Sequence, residues 1–123
     1  MQKISKEDIT KKFRQYSFDC DNAIALNKSD IDLLLESEEI YFVEEKLSTT
    51  KIMNIHFDKY NISNANTILI NFTLHTDYSI SIISEIMNIL SDLCKEDASI
   101  ILSTTPTDAC DRSYVKLDIF LSF

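Results

Sequence analysis

The strongest hydrophobic pattern in the chain runs from Ile82 to Cys94. Ile83, Ile86, Met87, Leu90 and Cys94 recur at helical spacing, and Ile82, Ile89 and Leu93 widen the stripe. Ser79 stands where a cap belongs, so this stretch predicts the main packing helix. Upstream, Ile68, Ile70, Phe72 and Leu74 alternate with Leu69, Asn71 and Thr73, a strand whose second face is also partly apolar, as in a central strand covered on both sides. Asn61 to Asn66 supply the turn that leads into it. Downstream, Ile100, Ile101 and Leu102 predict a strand that stops at Pro106, and Val115, Leu117, Ile119, Leu121 and Phe123 alternate in a last strand. Residues 106–113 between them read as a polar hairpin loop.

In the first half, Ser5-Lys6-Glu7-Asp8 matches a capping box and opens a helix with Ile9 and Phe13 on one face. A second box, Ser29-Asp30-Ile31-Asp32, precedes Leu34 and Leu35 and predicts a short helix of about two turns. The β-branched and aromatic run Ile40-Tyr41-Phe42-Val43 predicts a strand from Ile40 to Leu47. Ser48 or Thr49 then caps a further helix carrying Met53, His56, Phe57 and Tyr60. Each helical stripe is one-sided and needs a sheet face to cover. The expected architecture is therefore α+β, a two-layer sandwich with a four-stranded mixed sheet packed by helices. One domain spans residues 1–123, with a leading helix and connector over 1–28 and an αβαβαββ body over 29–123.

Composition narrows the function. The chain has 123 residues and no glycine, so phosphate-cradling loops, which need glycine for left-handed dihedrals and close backbone approach, are excluded. Turns fall to Asn, Asp, Ser, Thr and the single Pro106. The net charge of −8 opposes nucleic acid and anionic membrane surfaces. No stretch is apolar for long enough to act as a signal peptide or a membrane span, and the expectation is a soluble cytoplasmic protein. Cys20, Cys94 and Cys110, odd in number and without C-x-x-C spacing, read as reduced thiols, Cys94 in the core and Cys110 in a polar loop. His56 and His75 have no metal-ligand partners at suitable spacing, so no metal or other cofactor is expected. Asp108, Asp111 and Arg112 read as solvated turn residues. The stretch Glu36 to Glu45 reads either as an acidic recognition surface or, as such runs more often are, as a solvated rim.

The run Ala65-Asn66-Thr67-Ile68-Leu69-Ile70-Asn71-Phe72-Thr73, the helix from Ser79, Asp97-Ala98-Ser99-Ile100-Ile101, and Asp111 leading into Val115-Lys116-Leu117-Asp118-Ile119 together resemble the C-terminal domain of FtsZ, the bacterial tubulin homologue of cell division. Leu26-Asn27-Lys28-Ser29-Asp30-Ile31-Asp32 resembles that family's loop and short helix, commonly written L-I-N-x-D-F-A-D-V. The family's GTP-binding domain has no counterpart, and Leu74-His75-Thr76 replaces the glycine pair after its N-I-T strand. In the family the loop sends two acidic residues into the neighbouring subunit to position water against its GTP. Counted from Asn27, the first falls on Ser29 and only Asp32 keeps a carboxylate. A Ser hydroxyl has no charge with which to activate that water at neutral pH.

The resemblance implies a catalytically inert module, not an enzyme, that binds or modulates FtsZ-type cell-division filaments. The partner-interface residues are Asn27, Lys28, Ser29, Asp30 and Asp32, and an intramolecular capping role competes for Ser29 and Asp32. Two alternatives stand beside it. One is a self-associating structural module that pairs through its last strand as an edge. The other is a small-molecule enzyme at a subunit interface, which a pocket holding His75 with Asp77 or Asp108 would favour.

Overall fold

The computed structural model describes residues 2–15, 28–37, 39–50 and 57–123. In chain order the elements are β1 (Gln2–Lys3), α1 (Lys6–Gln15), α2 (Lys28–Leu35), β2 (Ile40–Ser48), 3-10 turns at Phe57–Tyr60 and Ile62–Asn64, β3 (Thr67–Leu74), α3 (Ile80–Leu93), β4 (Ser99–Pro106) and β5 (Tyr114–Ser122). The sheet is mixed, as expected, but has five strands rather than four, in the order β1-β2-β5-β3-β4. The additional strand, β1, pairs Gln2 with Phe42 and Lys3 with Tyr41. Two residues are too short to leave a period-two signature in a sequence.

β3 and β4 run parallel in register from Thr67↔Ser99 to Leu74↔Pro106, joined by α3 as the crossover that a parallel pair requires. β5 lies antiparallel between β3 and β2, with Asn71 opposite Asp118 and Val43 opposite Ile119. Two expectations about the last strand are therefore corrected. Residues 106–113 are not a hairpin loop, because β4 and β5 lie on opposite sides of β3 and the connection passes across its end. Nor is β5 an edge open to a second copy, since both of its sides are paired within the chain. The reason lies in its burial: Val115, Leu117, Ile119 and Leu121 face one core and Phe120 the other, all at 0–1% exposure, which only a central position allows.

The main core fills the space between the sheet and α3. Ile83, Ile86 and Leu90 meet Ile68, Ile70, Phe72, Leu117 and Ile119, with Phe57, Tyr60 and Ile62 closing one side. The opposite face carries a smaller cluster in which Ile9 of α1 and Leu34 of α2 cover Ile40, Leu69, Ile101 and Phe120. Helices therefore pack on both faces of the sheet, and the expected two-layer sandwich is corrected to three layers. Phe120 meets Phe13 at a ring distance of 5.3 Å and Phe42 at 5.1 Å. Each fully buried aliphatic or aromatic side chain contributes about 1.5–3 kcal/mol relative to exposure.

The helix starts follow the local chemistry with one exception. Ser5 Oγ accepts the Asp8 N–H at 3.1 Å before α1, and Ser79 Oγ accepts the Ser81 N–H at 3.3 Å before α3. α2 begins at Lys28, so Ser29 is inside the helix and does not cap it; Asn27, the residue before it, lies outside the described residues. Of the helix expected after Thr49, Met53 and His56 also lie outside them, and Phe57–Tyr60 forms a 3-10 turn instead of an α-helix.

Candidate functional site

Two surfaces gather the residues that chemistry singles out. The first is the outward face of α2. Leu34 is fully buried and anchors the helix, which turns Ser29, Asp32, Leu33 and Glu36, at i, i+3, i+4 and i+7, to the outside. Asp30 is half-buried. Leu33 is 37% exposed, with Ile80 and Tyr114 one of three large apolar side chains left exposed among the described residues. Leu33 stands beside Asp32 and Glu36 on this face. Of the interface residues expected from sequence, Ser29, Asp30 and Asp32 lie on this helix; Asn27 lies outside the described residues. Lys28 opens the helix. No motif singles out Leu33, although helical spacing from Ser29 points to it, and Glu36 stands in the sequence at the start of an acidic stretch.

The second surface joins the loop after β3 to the loop before β5. His75 is 84% buried, and its Nδ1 accepts the Asp77 N–H at 3.1 Å. In neutral imidazole the proton therefore sits on Nε2, which faces Asp108 Oδ1 at 3.9 Å. Arg112 meets the Asp77 carboxylate at 2.7 Å, and Thr76 Oγ1 donates to Asp108 Oδ1 at 2.5 Å. A cavity of about 130 Å³ opens beside this set, lined by His75, Asp77, Arg112 and Tyr78 over Leu74, Ile82 and Val115. Sequence spacing could not join His75 to Asp108, because the contact depends on β3 and β4 ending level with each other. The Asp77 N–H occupies Nδ1, and the Arg112–Asp77 pair and the Thr76–Asp108 hydrogen bond connect the two loops. The cavity thus holds His75 together with Asp77, the arrangement that the small-molecule enzyme alternative called for.

Neighbouring groups in the second loop share in this ordering. Asp111 accepts from Ser113 Oγ at 2.6 Å and from the Ser113 N–H at 2.8 Å, and these bonds hold its carboxyl below the usual value of 3.8. Burial, followed by the charge of Asp111, pushes the Cys110 thiol up from 9.0. A thiol raised in this way is a poor nucleophile. Among the described residues no three His, Cys, Asp or Glu side chains form a group able to hold a metal ion. None of their helices is long and apolar enough to cross a membrane.

No protein-family model matches the sequence, and no curated protein does. Solved structures do match. The dimer of FtsZ from M. jannaschii, in its empty form, superimposes with a TM-score of 0.67 at 14% identity, covering 81% of this chain and 32% of that one. A single-substitution mutant of the same FtsZ gives 0.63 at 15% identity over the same shares. The chain has the fold of an FtsZ-like C-terminal domain, of α+β class with a mixed sheet. It spans about a third of the FtsZ chains that it matches.

Proposed function

We propose that this domain is a non-catalytic module that binds FtsZ-type filaments and modulates their assembly through the outward face of α2. The observation that carries the reading is the exposed stripe Ser29, Asp32, Leu33 and Glu36 on the helix that resembles the family's intersubunit loop and helix, within a fold similar to FtsZ over 81% of this chain. This domain added by itself offers one such face and no phosphate loop, so it completes one subunit contact and cannot propagate the next. Substoichiometric amounts then limit filament growth. Catalysis by the chain itself is not part of the proposal: it has no glycine for a phosphate loop, and Ser29 stands where the resemblance expects a carboxylate.

Sedimentation of FtsZ with GTP, with and without this chain, tests the proposal. The expected result is co-pelleting of the chain and a smaller FtsZ pellet, both lost when Asp32→Lys is combined with Leu33→Glu. Unchanged pelleting with no co-pelleting overturns it.

A further inference from the structure

The charge of this molecule is unevenly placed. Residues 2–15 hold five of the twelve Lys and Arg and two of the twenty Asp and Glu, a local net charge of +3 on a chain of net −8. The structure folds this basic segment around a groove of about 340 Å³. Lys3, Lys11 and Lys12 line it with a single opposing charge from Asp8, and Ile4 and Phe42 contribute apolar surface. The Lys12 ammonium lies 4.1 Å from the centre of the Phe42 ring, which keeps that cation at the groove. Lys3 and Lys11 meet only the exposed carboxylates of Glu39 and Glu7, at 3.7 and 3.8 Å. Pairs of this kind are worth little and exchange readily for a better partner.

The groove also borders an available strand edge. Among the described residues β1 is the outermost strand and pairs on one side only, with β2. Ile4 donates its N–H to the Ile40 carbonyl at 2.9 Å, so by antiparallel alternation the Lys3 N–H and C=O point away from β2. An incoming extended segment finds there a backbone donor and acceptor at Lys3, the two ammonium groups of Lys11 and Lys12, and an apolar floor, the elements of β-strand addition with side-chain specificity. The Lys3 side chain itself lies on the other face of the sheet, toward Glu39.

We propose that the groove formed by β1, α1 and Phe42 is a docking site for an extended acidic peptide segment of a partner protein. The segment adds beside the Lys3 backbone, sets carboxylates against Lys11 and Lys12, and lays one large apolar side chain over Ile4 and Phe42. Charge complementarity selects this occupant over nucleic acid, because the rest of the molecule, with a net charge of −8, repels a long polyanion. A short acidic segment avoids most of that repulsion because it meets only the basic end. The surface is distinct from the outward face of α2, and the inference does not depend on the role proposed for that helix.

Fluorescence anisotropy with a fluorescein-labelled peptide alternating Glu with Phe and Leu tests the site. The expected result is saturable binding that weakens with added salt and falls at least about tenfold in the double variant Lys11→Glu, Lys12→Glu. Lys3→Pro removes the outward N–H without breaking a ladder bond, so it weakens binding further than Lys3→Gln, which removes the charge alone. Circular dichroism melts confirm that each variant is folded. Equal binding of a peptide with Lys in place of Glu overturns the proposal, as does wild-type affinity in the double variant. Tighter binding of a single-stranded DNA oligonucleotide through the same lysines also overturns it. So does a mass that grows with concentration and reverts to monomer in the double variant, which would make the occupant a second copy.

Discussion

At the scale of single residues, the absence of glycine is felt where the backbone must turn left-handed. Among the described residues only Asn61 has a positive φ, 59° with ψ 33°, and it heads the turn before β3. Asn tolerates this region better than most residues, and a β-branched side chain does not. Asn61→Val is expected to destabilise the fold by about 1–2 kcal/mol in urea titration, and Asn61→Gly to stay within about 0.5 kcal/mol of the native chain. Asp111 gives a second residue-scale prediction. Its folded carboxyl titrates below 3.8 because Ser113 donates twice to the ionised form. The stabilisation is fully present above the unfolded value and is lost as pH falls through the lower folded value. Carboxyl-carbon NMR is expected to show Asp111 titrating low in the native chain and moving upward in Ser113→Ala.

At the scale of elements, packing explains which sequence patterns became helices. α3 combines a cap at Ser79 with three buried side chains on one face, Ile83, Ile86 and Leu90. Ser79→Ala should cost about 1 kcal/mol and Ile86→Ala about 2–5 kcal/mol, both read by chemical denaturation. The spacing of these residues was fully legible in the sequence, and so were β2, β3, β4 and β5 to within a residue or two. The start of α2 was not. Ser29 has the right neighbours for a cap, yet the helix begins one residue earlier and leaves Ser29 on the surface. A capping box is a local preference worth about 1 kcal/mol, and burial of Leu34 against the sheet outweighs it.

At the scale of the whole molecule, the sheet order concentrates stability in β5. That strand joins the β2 side of the sheet to the β3–β4 side, and both cores rest on it. Ile119→Lys places an unpaired charge at a fully buried position and is expected to abolish the cooperative transition in a thermal melt. Lys3→Pro at the outer strand should leave that transition nearly unchanged. β3, β4 and β5 also share a buried polar patch, in which Ser103 and Thr105 donate to Asn71 Oδ1 at 2.7 and 3.2 Å. Residues 71, 103 and 105 come from two strands and meet only through the parallel register.

The sequence by itself determined the class of the fold, the position of nearly every strand, and the main helix with its cap. These are properties of nearest neighbours and of short periods, which a linear string records. Tertiary structure alone decided that the last strand is central, that His75 meets Asp108 across two loops, and that the basic residues of 2–15 surround a groove with Phe42. Strand order and long-range contacts depend on which of several compatible pairings buries the most apolar surface. That choice is made by the whole chain at once, with β5 drawn to the centre because both of its faces are apolar enough to require cover.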